Sequence, residues 1–432
     1  MPISQQILQN KAVLITEPIA SSKTVAIGFW FSVGSRYESE GNQGITHFVE
    51  HMLFKGTSTR SAFQIACEFD KIGGYINAFT EREQMCVYCV VPCFYATKAL
   101  SIISEMIYDS TFLTTEVEKE RTVIQSEIIS SLDDPEEVAM DAVFSSIWKN
   151  NPIALNISGS VSDVESITRE NLFDWYNRFV KSGPLAITIA GNFNQEEIFN
   201  CINDFPIREN FEQNFPLQIP TWNSGLDFIS ADFQQEQFFL LYKLDSKIDL
   251  KQNLILSVLN AIIGDTMSSR LFQSLRENSG FCYNVYSFIN LFQDCGFWCF
   301  YATSSKENCL NVARNLIQIV DEFFENEISE EEINYAKQHL CGEEIMAGED
   351  MEQRMKQMAR CWFSGYNQNS SENILKIINE IQLDDLYAIL KMIKNNLEKA
   401  LVIYGPKVKS VNKKNIEKVF YNEKWFWCFS EM

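Results

Sequence analysis

Residues 44–57 read GITHFVEHMLFKGT. Two of the chain's three histidines, His47 and His51, stand four residues apart there, with Glu50 between them. The apolar residues around them recur at helical spacing from about Ile45 to Lys55, and Gly56 follows as a helix stop. Residues i and i+4 share one helical face, so the two imidazoles lie one turn apart and can grip one Zn²⁺. Glu50 can lean over the same ion without ligating it. A carboxylate so placed can take a proton from zinc-bound water, whose pKa the metal lowers to about 7. The order H-x-x-E-H is the reverse of the commoner H-E-x-x-H. A lone H-x-x-E-H also arises by chance, so the motif needs support from the rest of the chain.

A catalytic zinc takes a third protein ligand. The remaining histidine, His339, lies far downstream, so a carboxylate must serve. A long helix expected over Glu116 to Leu132 offers Glu120 and Glu127, seven residues apart and on one face. Their neighbours include the apolar Val123 and Ile124. A charged, solvated helix explains Glu116 and Glu118. It explains Glu127 less well, because VIQSEII surrounds that residue with apolar side chains and implies that something buried meets it.

Composition bounds the alternatives. A chain of 432 residues exceeds one ordinary core, so two or more domains are expected. The 33 phenylalanines chiefly fill those cores. No apolar run reaches the roughly 18 residues of a membrane span. The start, MPISQQILQNKAVLITEP, reads as neither a secretory signal nor a presequence, so a cytoplasmic location is expected. The twelve cysteines are then expected as thiols. In CVYCVVPC (Cys86, Cys89, Cys93), the first two fall on opposite faces of a strand and converge poorly on a metal. The net charge of −21 argues against a nucleic-acid partner and against an anionic membrane surface. If that charge lines a cavity, it attracts cationic substrates such as basic peptides.

Strands and helices mix throughout. AVLITEP and KTVAIGFWFSVG read as strands, and Ser61 caps a helix ending at Gly73–Gly74. YINAFTEREQMCVYCVVP reads as one or two strands. Thr168 caps a later helix, and PLAITIAGNF is a buried strand. The stretch of about Phe205 to Gly225 carries three prolines and reads as a linker. After it the order repeats: strand EQFFLLYKL, helices, strand GFWCFYATS, helices, strand KALVIYGP. This suggests an internal duplication, with an N-terminal domain at 1–210, a linker at 205–225 and a C-terminal domain at 225–432, although no residue-level repeat is visible. The order is not strict βαβα alternation, so the class is α+β.

GITHFVEHMLFKGT, IGGYINAFTERE and EKERTVIQSEI together resemble the family of pitrilysin, insulin-degrading enzyme and the mitochondrial processing peptidase. The resemblance implies two homologous α/β-sandwich halves, each a mixed and mainly antiparallel sheet with helices packed on it, facing each other across a chamber. It implies one Zn²⁺ per chain held by His47, His51 and Glu127, with Glu50 as the base and Glu120 orienting a histidine ligand. GGYINAFT matches the family's edge strand, where a substrate peptide adds as a further strand; Asn77 and Ala78 are its implied contacts. SSRLFQSLRENSGFCYNVYSF matches the family's Arg…Tyr segment. Arg276 and Tyr283 are thereby implied to hold substrate carbonyls and the developing oxyanion.

The implied activity is that of a zinc endopeptidase acting on peptides or unfolded segments. A noncatalytic partner subunit of a processing-peptidase-like pair is the alternative, but this chain lacks that subunit's long glycine-rich loop. The length matches short members of the family, which implies a homodimer or heterodimer. Two departures stand out. NPIALNISGSVSDV replaces a stretch that usually reads P-L-G-x-x-I-L-G-T, away from the metal motif, and so bears on loop geometry or partner contacts. IIGDTMSSR has one glycine where relatives often have several.

Overall fold

β-branched and aromatic runs form the strands, as their fit to a half-buried pleated surface requires. The computed structural model describes residues 3–206, 217–367, 369–396 and 398–421; the centre of the expected linker, 207–216, lies outside them. The strands are β1 (Ser4–Ile7), β2 (Val13–Pro18), β3 (Thr24–Phe31), β4 (Tyr75–Thr80), β5 (Met85–Pro92) and β6 (Leu185–Gly191), then β7 (Gly225–Ser230), β8 (Gln235–Leu244), β9 (Val285–Leu291), β10 (Gly296–Ser305) and β11 (Lys399–Gly405).

Two sheets result, in the orders β1-β2-β6-β3-β5-β4 and β7-β11-β8-β10-β9. In the first, β2 pairs parallel with β6, and the other pairs are antiparallel. In the second, β7 pairs parallel with β11, and the rest are antiparallel. Apart from β1, strand order and pairing sense are therefore the same in both.

The duplication reaches single residues. Gly191 and Gly405 close the equivalent strands β6 and β11 with φ of +126° and +139°. A Cβ at Gly191 would run into the Thr24 carbonyl, and one at Gly405 into that of Gln235, where β3 and β8 begin. Glycine alone meets both demands.

By packing, the chain divides into two units, and each is discontinuous. One takes Met1–Asp133, Asn151–Gln218 and Ile345–Asn373; the other takes Asp134–Asn150, Ile219–Glu344 and Ile374–Met432. The first sheet has a helix-covered face, where Ile27, Phe29 and Phe31 join the core under the helices Ile45–Leu53 and Ala96–Asp109. On its other face, Trp30, Ala26 and Cys86 pack on Met355, Met358 and Ala359 of the helix Met351–Phe363, which crosses β3 and β6. The second unit is completed likewise by Pro135–Ile147, which packs on β8 and β11, the equivalents of β3 and β6. Each unit is thus finished by a helix from the other half of the sequence.

The segment DDPEE, just past the expected helix end at Leu132, starts the helix Pro135–Ile147. Asp134 is its N-cap and accepts from the Glu136 N–H at 2.9 Å. Cys86 and Cys89 do lie on opposite faces of β5, one in each core layer. Burial pushes both thiols up, and none of the eleven described cysteines is in a disulfide among the described residues. No helix among the described residues is long and apolar enough to cross a membrane.

Candidate metal centre

The helix Ile45–Leu53 has no side-chain cap of its own, because its N-cap is Gly44, with φ +84°. The carboxyl group of Glu38 takes that role, accepting from the backbone N–H of Gly44 at 2.8 Å and of Thr46 at 2.9 Å. Burial pushes the Glu38 carboxyl up to about 8, against the pull of those two N–H groups.

One turn apart, the His47 and His51 rings stand edge to face at 4.5 Å between centroids, with their Nε2 atoms 3.2 Å apart. The helix Thr114–Ser131 brings Glu127 Oε2 to 3.5 Å from His51 Nε2. Ligand atoms of His47, His51 and Glu127 all lie within 4.8 Å of one another. A tetrahedral ion with bonds of about 2.0–2.1 Å would hold its donors about 3.4 Å apart, so the spacing fits zinc. No second group of this kind occurs among the described residues.

His51 Nδ1 lies 2.8 Å from Glu120 Oε1. A carboxylate can only accept, so Nδ1 carries the proton and Nε2 keeps its lone pair. Burial pushes the Glu120 carboxyl up, but hydrogen bonds from His51 and Lys55 outweigh it and hold the group below its usual range. The Lys55 ammonium sits 2.7 Å from the other oxygen of Glu120. Burial and then the charge of His51 lower the pKa of His47 to about 4, so its ring is neutral. Its Nδ1 is buried without a hydrogen-bond partner among the described residues.

Glu50 is buried, and its Oε2 accepts from the Thr80 hydroxyl at the end of β4. Burial raises its pKa, and the Thr80 hydrogen bond opposes that rise. The two acids of the long helix part company. Glu120 is buried, but the Glu127 side chain is 53% exposed. The expectation that apolar neighbours bury Glu127 fails because those neighbours divide between the two faces: Val123, Ile129 and Leu132 are exposed, while Ile124 and Ile128 point inward and leave Glu127 outside.

β4 is the edge strand of its sheet. Asn77 is exposed and accepts the Ala78 N–H on its own Oδ1 at 2.9 Å, and Ala78 packs on the helix-side core. In the second unit, Arg276 lies between two rings, 4.7 Å from the centroid of Phe272 and 4.8 Å from that of Tyr283. Tyr283 is 72% exposed.

Three contributors were missed by sequence reading: Glu38, Lys55 and Thr80. Thr80 had a signal, since it shares strand parity with Ile76 and Ala78, which face the helix layer. Glu38 had none, because only the folded path of residues 34–46 brings it under the helix. NPIALNISGSVSDV is also not remote from the motif, as read. Gly159 sits against Gln43, and a Cβ on Gly44 would run into the Ser158 carbonyl.

An α+β chain of duplicated sheets, with two imidazoles, a carboxylate and a buried glutamate on one helix pair, defines the class as a metallopeptidase-like protein. The chain belongs to the insulinase family, peptidase family M16: the family model for Insulinase matches residues 13–160, and that for the Peptidase M16 inactive domain matches 166–340. It is 31% identical to an "uncharacterized zinc protease" of Rickettsia felis, over 92% of this chain and 96% of that one. It is 27% identical to the "uncharacterized zinc protease YmxG" of Bacillus subtilis, over 94% and 98%. Among solved structures, the fold is similar to a peptidase M16 inactive domain from Pseudomonas fluorescens (TM-score 0.86, 16% identity, 94% and 98% covered) and to a protease from Helicobacter pylori (0.84, 18%, 94% and 99%).

Proposed function

We propose that the chain is a zinc-dependent endopeptidase of peptides or unfolded segments. The observation that carries this is the convergence of His47, His51 and Glu127 beside the buried, Thr80-bonded Glu50. Zinc, when bound, makes water acidic and polarises a carbonyl. Glu50 takes the proton of the attacking water and delivers it to the leaving amine; its raised pKa suits both tasks. Glu120 holds the His51 ring and its tautomer. The edge strand β4 offers backbone groups to an extended peptide at Asn77 and Ala78, once the Ala78 N–H leaves Asn77 Oδ1. Arg276 and Tyr283 are the donors assigned to substrate carbonyls, a cation and a phenol being suited to developing negative charge. One zinc per chain is the stoichiometry, and a dimer is the assembly that sedimentation should show.

The test compares wild type with Glu50→Gln for bound zinc and for cleavage of a peptide library of basic and neutral sequences. The proposal expects zinc in both and cleavage in the wild type alone. A wild type that binds zinc and cleaves nothing supports a noncatalytic subunit, and one without zinc ends the reading. The net charge of −21 further motivates a preference for basic peptides. That preference should weaken as salt rises past about 0.1 M, where the screening length falls below about 10 Å. Equal cleavage of basic and neutral peptides at every salt level removes it.

A further inference from the structure

The first turn of the His helix is fixed from two sides by groups that ligate nothing. His47 is the third residue of that helix, so its position follows from how the first turn is anchored. On one side stands Glu38, buried, with each carboxyl oxygen taking one backbone N–H of the turn. Glu38 is itself tied to the hairpin between β4 and β5. Ser35 N–H donates to the Glu81 carbonyl at 3.2 Å, Arg36 N–H donates to that of Arg82 at 2.8 Å, and Glu38 N–H closes on Ser35 at 3.1 Å. The Arg36 guanidinium meets Glu83 at 2.5 Å. Glu81 directly follows Thr80, the partner of Glu50. On the other side Gly159, at φ +69°, touches the Gln43 backbone where any side chain would collide. The edge strand, the base's partner and the first metal ligand are therefore joined through residues 34–46 into one frame.

We propose that Glu38 is a positioning residue that, braced by Gly159, fixes His47 in register with the edge strand β4. This rests on the zinc-peptidase reading. Losing one acceptor lets the first turn fray, and His47 moves relative to His51 and Glu127. Peptide held on β4 is unaffected, because β4 keeps its own pairing with β5.

The experiment uses the full-length chain as wild type, Glu38→Gln and Gly159→Ala. Four quantities are read: zinc retained against a chelator, the visible absorption of the Co²⁺-loaded protein, kcat and KM on one cleaved peptide, and the melting temperature after metal removal. For Glu38→Gln the expected result is a loss of about tenfold or more in zinc affinity and in kcat. KM should stay within about twofold, and the Co²⁺ band should shift. Gly159→Ala should move the same quantities in the same direction. A folded Glu38→Gln protein with wild-type zinc retention, Co²⁺ band and kcat, altered only in melting temperature, overturns the proposal while leaving the peptidase reading intact. If Glu38→Gln does not fold, Gly159→Ala decides by the same criterion. A wild type without zinc overturns the peptidase reading and this inference with it.

Discussion

A histidine that is to give its lone pair to a metal has to be kept neutral, and the surroundings of His47 do that without the metal. Its unfolded ring titrates near 6.5 and the folded one at about 4, so between those values only the unfolded chain binds the proton. The stability of the metal-free protein should therefore fall as pH drops from 6.5 toward 4. Urea midpoints of chelator-treated protein test this: His47→Asn should lose less over the interval, and parallel curves would refute it. His51 depends instead on its partner. Glu120→Gln keeps an acceptor but not the charge, and zinc should dissociate about 10 to 100 times more readily. Unchanged zinc retention would reduce Glu120 to a packing role. The spacing of His47, His51, Glu120 and Glu127 was legible because helical periodicity alone sets it. Glu38 and Lys55 were not, because their contacts depend on turns whose path no local pattern states.

Among the elements, the helix Thr114–Ser131 shows how apolar residues can mislead. Val117, Glu120, Ile124 and Ile128 are buried, while Val123, Ile129 and Leu132 face solvent. Burial follows the 3.6-residue period, and the residue types do not. A better guide is fit. β3 carries glycine at position 28 in an otherwise bulky run because Met355 of the crossing helix occupies that space; a Cβ there would also press on Trp30. Gly28→Ala should destabilise by about 1–3 kcal/mol. Combined with Met355→Ala, the total should fall short of the sum of the single changes by at least about 0.5 kcal/mol, since the clash is then relieved. Strict additivity in denaturant melts would mean that the two do not compete for one space. The strand run TVAIGFWF was legible; what the glycine makes room for was not, since its partner lies more than three hundred residues away.

At the level of the whole molecule, the duplicated element order could be read from the sequence, while the exchange of helices between halves could not. Helices Pro135–Ile147 and Met351–Phe363 have apolar faces that would fit either sheet, and nothing local says which one they cover. A chain cut after Gln218 should therefore fail as a domain. Its sheet would lack the helix over Trp30, Ala26 and Cys86, giving strong binding of an apolar dye and no cooperative melt. Adding the fragment from Ile219 onward should restore the melt. A first fragment that melts cooperatively alone would show that the exchanged helix is dispensable.

The same exchange sets a clock on synthesis. The last strand of the first sheet ends at Gly191, yet the helix that closes its second face runs to Phe363. At about 5–20 residues per second, the ribosome leaves that apolar face uncovered for about ten to thirty seconds. The newborn chain spends that interval as a client for whatever holds nascent hydrophobic surfaces apart. Neither unit can be finished before its last-made segment, which begins at Ile345 in one and at Ile374 in the other, has been synthesised.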